Sequence, residues 1–391
     1  MKMMKSFSFY ASCMWVALGS LALVSCLDDG NETVVLEEGK YSVAGIPSDD
    51  LADPNPEIVD PNANIPNFNY TVEQEGDYTI IRLDMTGVQN PESKEWINLI
   101  GTGGKDGSKQ NIWVSVDNKP KGILVTKASD DENGASNAVD LVFLVDNSGS
   151  MSEEADAIAR DIVAWAQLLT SSNLDMRFGC VGYDGRITGA LNITDVNSLS
   201  EFLNYSSGTN RTYHFGGADA SVLSSAASSY ANSYYECGVA ALHYAADNFS
   251  YRNGANRIYV NFTDEPNQPN GNSLYSVEYV KEQTNWGTND GTIHTVYSDY
   301  TTFTEQPLYQ EKPWKLSEYT GGTTLTVPRN FSGVTLSDLP VTGAMLNSYV
   351  IRFTNVDEFM DGQPHEVHVT IYSEDGKVRA EKVFYVVFGT K

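Results

Sequence analysis

The stretch VDLVFLVDNSGSM, Val139 to Met151, decides the reading of this chain. Its apolar run from Val139 to Val145 is broken only by Asp140, which suits a strand buried on both faces of a parallel sheet, and the run stops at Asp146. The polar cluster Asp146, Asn147, Ser148, Gly149, Ser150 then occupies a loop at the strand's C-terminal end. Residues 153–169 follow with Ile158, Ile162, Trp165, Ala166 and Leu169 at helical spacing. The unit is strand, oxygen-rich loop, helix, and in an open α/β sheet that edge is where ligands bind. Asp146, Ser148 and Ser150 offer one carboxylate and two hydroxyls, hard donors suited to Mg²⁺, Mn²⁺ or Ca²⁺ rather than zinc. They cannot fill six positions alone. A second strand pattern, IYVNFT from Ile258 to Thr263, ends in Asp264 and brings another carboxylate to the same edge.

At these residues the chain resembles the von Willebrand factor type A domain family, whose metal-ion-dependent adhesion site combines Asp-x-Ser-x-Ser, a second-loop residue and a Thr-Asp turn. Further blocks recur in order: MRFGCVGYDG (Met176 to Gly185), ECGVAALHYA (Glu236 to Ala245), RIYVNFTDE (Arg257 to Glu265) and LSEYTGG (Leu316 to Gly322). The resemblance spans about residues 137–328. It implies a doubly wound, mainly parallel α/β domain that holds a divalent cation. By the same resemblance, Ser148 and Ser150 touch the cation directly, and Asp146 and Asp264 act mainly through water or through hydrogen bonds. The remaining ligand comes from a partner's Asp or Glu carboxylate. The second-loop threonine of the family is not evident. Glu236 stands in about its place, with Thr209, Thr212 and Asp219 as the other candidates; a glutamate ligand favours Ca²⁺ or Mn²⁺ over Mg²⁺. The family's domains carry both termini at the end of the sheet opposite the metal site.

The N-terminus reads as an export signal. Lys2 and Lys5 precede an apolar segment, Tyr10 to Val24, which ends in Leu23-Val24-Ser25-Cys26. That tetrapeptide resembles a bacterial lipobox, implying a signal peptide over residues 1–25 and lipidation of Cys26. Asp28 and Asp29 resemble the acidic export tag of Bacteroidetes surface lipoproteins, so the expected location is the outer membrane, facing outward. Without residues 1–25 the chain keeps 23 basic and 51 acidic side chains, a net charge of −28. Such a surface repels phosphate backbones and anionic head groups, which argues against nucleic-acid binding and leaves membrane attachment to the lipid. Residues 26–66, rich in Asp, Glu, Asn and Pro, are expected to form a flexible tether.

Residues 67–130 change to alternating strand patterns at Tyr78 to Leu83, Glu95 to Ile100 and Ile112 to Val116. GTGGKDGSK (Gly101 to Lys109) lacks the spacing of a phosphate-binding loop and precedes a strand, so it reads as a hairpin turn. KASDDENGASN (Lys127 to Asn137) is a polar linker. The tail, residues 338–391, again carries strands, in YVIRFTN, HEVHVTIYS and KVFYVVF, too few for a sandwich of their own. Pairing them with residues 67–130 makes a smaller all-β sandwich into which the α/β domain is inserted. Within that domain the patterns predict strands at Arg177 to Tyr183, Thr292 to Tyr297 and Thr323 to Val327. Helices are predicted at Val196 to Tyr205, Glu236 to Phe249, Leu274 to Trp286 and Trp314 to Tyr319.

An enzyme reading finds little to stand on. His365-Glu366-Val367-His368 lies in a strand pattern without the spacing of a helical zinc site, and no G-x-S-x-G elbow is present. Cys180 and Cys237 could form a bridge in an exported protein or remain two buried thiols. Ser206 to Tyr235, rich in Ser, Gly, Asn and Tyr, reads equally as a binding surface or as a loop packed on its own domain. The expectation is a non-enzymatic surface lipoprotein that binds a protein or glycan partner through a metal-held carboxylate. The alternatives are an assembly module of an envelope or fimbrial complex, its metal site vestigial or only stabilising, and a substrate-presenting subunit of an enzyme complex.

Overall fold

The computed structural model describes residues 41–43, 45–104, 108–131, 138–172, 174–203, 227–230, 236–298 and 302–390. The expected signal peptide, Cys26 and the first part of the expected tether lie outside them. In chain order, β1 (Tyr41–Val43) and β2 (Ile46–Pro47) pair with each other, and β3 (Phe68–Glu75), β4 (Tyr78–Met85), β5 (Ile112–Val116), β6 (Lys119–Pro120) and β7 (Leu124–Lys127) follow. The central unit then runs β8 (Ala138–Asp146), α1 (Ser152–Ser171), β9 (Asp175–Tyr183), β10 (Ile187–Thr194), α2 (Val196–Leu203), α3 (Gly238–Asn248), β11 (Asn256–Thr263), β12 (Thr292–Ser298), α4 (Lys315–Thr320) and β13 (Thr324–Val327). The tail supplies α5 (Pro340–Leu346), β14 (Tyr349–Phe353), β15 (His365–Tyr372) and β16 (Arg379–Val386).

The central sheet has the order β10-β9-β8-β11-β12-β13. All neighbours are parallel except the edge pair β10 and β9. Every residue of β8 is buried, and the reason lies in its two faces. Leu141, Phe143 and Val145 meet Ile158, Ile162 and Trp165 of α1, while Val142 and Leu144 meet Val239 and Leu242 of α3. With helices against both faces, alternation has no exposed side to mark, and the strand is continuously apolar.

The sandwich forms as expected from strands distant in sequence. One sheet has the order β3-β4-β14-β7, the other β16-β15-β5-β6. Tail strand β14 lies between β4 and β7, and β15 between β5 and β16, so the tail fills interior positions of both sheets. Phe68, Ile81, Leu83 and Met85 close against Val367, Val369, Ile371 and Phe384.

The sandwich meets the central sheet at its N-terminal edge. Asn67 Nδ2 donates to Gly291 O at 3.0 Å, Asn69 Nδ2 to Gly254 O at 3.0 Å, and Phe68 N to Thr288 Oγ1 at 3.1 Å, all just ahead of β11 and β12. Asp146, at the far end of the nine-residue β8, therefore lies about 25–30 Å from that junction.

Several expectations are corrected. Residues 45–66 are no tether: they form a strap across the sandwich, with Ile46 and Ile65 buried. Lys121 Nζ donates to Asp49 Oδ2 at 2.8 Å, Asn55 Nδ2 to Thr370 Oγ1 at 3.1 Å, and Asn62 N to Arg379 O at 2.8 Å. The Asn and Asp residues that read as solvent-loving act instead as hydrogen-bonding pins. The central unit extends past 328, because Val341 and Met345 of α5 complete the α1 core and Trp165 Nε1 donates to Thr342 Oγ1 at 2.7 Å. Glu95 to Ile100 is not a strand; its pairing is a single bridge between Gln89 and Trp96. Leu274 to Trp286 is not an α-helix but short 3-10 turns, Ser273–Tyr275 and Val277–Lys281, divided where Ser276 Oγ caps Glu278 N.

Candidate metal centre

The site is assembled at the C-terminal edge by two adjacent parallel strands and one turn. Register pairs Val145 with Phe262, so Asp146 and Thr263 end their strands side by side. Thr263 Oγ1 donates to Asp146 Oδ2 at 2.8 Å, and Ser148 N donates to Oδ1 at 3.0 Å. One carboxylate oxygen of this fully buried aspartate thus holds the loop and the other ties it to the end of β11. From Ser148 the chain makes a 3-10 turn, Gly149–Met151, directly into α1. The turn brings Ser148 Oγ to 3.0 Å from Ser150 Oγ, and Ser150 Oγ donates to Asp264 Oδ1 at 3.2 Å. Asp146, Ser148, Ser150 and Asp264, read from separate segments of sequence, are joined in one hydrogen-bonded chain.

Glu236 borders the same place, just before the start of α3. It lines a narrow cleft with Tyr183, Asn261, Thr263, Glu265 and Asn267, and its backbone carbonyl accepts from Gln268 N at 2.9 Å. Thr209, Thr212 and Asp219 lie outside the described residues, as does most of the tyrosine-rich stretch. Gly238 matters for the approach: a Cβ there would sit 3.0 Å from the Asn261 side chain and 3.1 Å from Tyr183 Oη, so α3 starts tight against β11.

Electrostatically the site crowds buried carboxyl groups together, and the crowding disfavours their charged forms. Burial pushes the Asp146 carboxyl up to about 8; hydrogen bonds from Ser148 and Thr263 oppose this, and the charges of Asp264 and Glu236 add to it. Asp264 is raised likewise, by burial first, with the Ser150 hydrogen bond opposing and Glu154 and Glu236 adding. Buried carboxylates crowded in this way are stabilised by a cation. The donors also fit one. Two hydroxyl oxygens and a carboxylate oxygen, all hard donors of the kind Mg²⁺, Mn²⁺ and Ca²⁺ take, lie within hydrogen-bonding reach of one another. Among the described residues no group of three or more His, Cys, Asp or Glu side chains could hold a metal ion. The candidate centre depends on hydroxyls.

Glu154 was not legible as part of this site. It stands in the first turn of α1, where a carboxylate ordinarily complements the helix N-terminus. Only the fold turns it inward, where Ser298 Oγ at the end of β12 donates to Oε1 at 2.6 Å.

The other singled-out residues lie elsewhere. His365 sits in β15 between Asp117 (2.7 Å) and Asp361 (2.9 Å), and His294 is buried in β12 with Nδ1 2.8 Å from Thr323 Oγ1. Cys180 and Cys237 are both buried and are not joined in a disulfide. Burial pushes the Cys180 thiol up, and Cys237 Sγ is 3.3 Å from Asn267 Oδ1. Alkylation of the unfolded, unreduced protein is expected to label both thiols; a mass showing neither labelled would restore the bridge.

Comparison with known proteins adds little beyond this geometry. No family model matches the chain, and no curated protein does. Among solved structures it is similar to the conserved hypothetical protein BatB from Bacteroides thetaiotaomicron, at 15% identity over 53% of this chain and 96% of that one, with a TM-score of 0.33. An aerotolerance-related membrane protein from Bacteroides fragilis gives 18% identity over 50% and 94%, with a TM-score of 0.29. The PilB minor pilin from Streptococcus sanguinis gives 11% over 68% and 74%, with a TM-score of 0.28. Likenesses this distant assign neither fold nor function, and the architecture rests on the strand order and register.

Proposed function

We propose that this chain is a non-enzymatic cell-envelope lipoprotein whose central unit is a von Willebrand A-type domain. Its metal-ion-dependent adhesion site binds a protein or glycan partner through a carboxylate. The observation that carries the reading is the hydroxyl pair Ser148 and Ser150, linked to Asp264 and backed by Asp146. Ser148 and Ser150 would hold the cation directly; Asp146 and Asp264 would hold the loop and the metal-bound water. The cation would supply a Lewis-acidic position for an incoming carboxylate. Two neutral hydroxyls leave its charge only partly offset, so an anionic ligand is favoured, and the rim carboxylates Glu236 and Glu265 limit which anions can approach. The cation would be Mg²⁺, Mn²⁺ or Ca²⁺, with Ca²⁺ or Mn²⁺ favoured over Mg²⁺ if Glu236 joins the shell. Anchoring by lipid on Cys26 and exposure at the outer membrane complete the reading, on the strength of Leu23-Val24-Ser25-Cys26 and of Asp28 and Asp29.

Calorimetric titration of the metal-stripped full chain with Mg²⁺, Mn²⁺ and Ca²⁺ tests it, beside Asp146→Ala. Saturable binding is expected in the parent and at least about a hundredfold weaker binding in the variant. Absence of saturable binding by the parent sinks the proposal and leaves the site vestigial.

A further inference from the structure

Resting on the cation reading above, we propose that Glu154, which lies outside the Asp-x-Ser-x-Ser motif, is a positioning residue that sets the site's affinity for a divalent cation through Asp264. It is only 1% exposed. A glutamate in the first helical turn usually stays in water or folds back onto the N-cap backbone as a capping box. At α1 the N-cap is Met151, without a side-chain bond, and Glu154 is directed across to Ser298. Register explains the consequence. Thr263 pairs with Tyr297, so Ser298, the next residue of β12, comes beside Asp264, the residue after β11. Glu154 is thereby held close to the carboxylate that Ser150 contacts, and its charge acts on Asp264.

The charge effects on the two aspartates come from carboxylates: Asp264 and Glu236 act on Asp146, and Glu154 and Glu236 on Asp264. In a buried setting of low effective dielectric such a charge attracts a cation over several ångströms without touching it. Glu154 differs from Glu236 and Glu265 in being shielded from solvent, so its field is screened least by salt. A neutral amide at position 154 could keep the bond to Ser298 and lose only the charge.

The test compares the metal-stripped full chain with Glu154→Gln and Glu154→Asp. Calorimetric titration with Mg²⁺ and with Mn²⁺ is paired with urea unfolding in the absence of metal. Glu154→Gln is expected to bind about tenfold more weakly or worse, with an unfolding midpoint no lower than the parent's because like-charge crowding is relieved. Glu154→Asp is expected to retain most of the affinity. Unchanged cation affinity in Glu154→Gln overturns the proposal, and so does a loss of affinity matched by an equal fall in the metal-free midpoint, the mark of a purely structural residue. A parent chain that binds neither ion overturns the cation reading itself, an outcome distinct from either.

Discussion

Metal-stripped protein is expected to be markedly less stable at pH 8 than at pH 5, and saturating Mg²⁺ is expected to remove most of that difference. The sign follows from Asp146. Unfolded, its carboxyl loses its proton near the ordinary 3.8; folded and without a cation, it keeps the proton up to about 8. Between those values the folded state binds more protons than the unfolded one, so stability falls as pH rises through the window and levels off above it. Asp264, also raised, acts in the same direction. A bound divalent cation replaces the proton as the partner of the buried charge, and at a hundred times its Kd it stabilises the fold by about 2.7 kcal/mol. The Mg²⁺ effect should accordingly grow from pH 5 to pH 8. Urea titrations at the two pH values, with and without Mg²⁺, check this; a Mg²⁺ effect that is flat in pH would show that these carboxylates do not form the binding site.

The second large effect is expected far from the site. Gly321→Ala should lower stability by more than about 3 kcal/mol, read as a shift of the urea midpoint. Gly321 ends α4 in the left-handed region, with φ +76°, and a Cβ there would lie 2.1 Å from the backbone oxygen of Ile65. Both obstacles are backbone, so neither can be relieved by a rotamer change. The strap ends and β3 begins at this point, where Asn67 N donates to Thr320 O at 2.8 Å. Alanine has to separate the strap from α4 or unwind the cap. Asp146→Ala is expected to leave this junction intact, so the two variants separate positioning of the domain from chemistry at its edge.

How much of this was legible depended on whether a local pattern or a distant partner fixed each element. The continuous run of β8 revealed a strand covered on both sides, and the polar loop after it revealed the edge where chemistry could sit. The sandwich was legible because two strand-rich segments each lacked partners. The strap was missed because its composition resembles disorder: Asn55 and Asn62 find their acceptors more than 300 residues away, which no local window reports. Edge strand β10 was missed for a related reason, its short Gly-containing pattern being defined by pairing with β9. At the site, Asp146, Ser148, Ser150 and Asp264 were readable from spacing and resemblance, while Glu154 required the register of β11 against β12.

The placing of β14 and β15 inside the two sandwich sheets bears on how the molecule is made. β3 to β7 precede β14 and β15 in the chain and cannot close either sheet until those strands have been made, because interior places in both sheets are taken by them. The central unit, by contrast, has its whole parallel sheet once β13 has emerged and completes its core with α5. A chain cut before β15 would leave β5 without its neighbour in the sheet and present an unpaired strand edge.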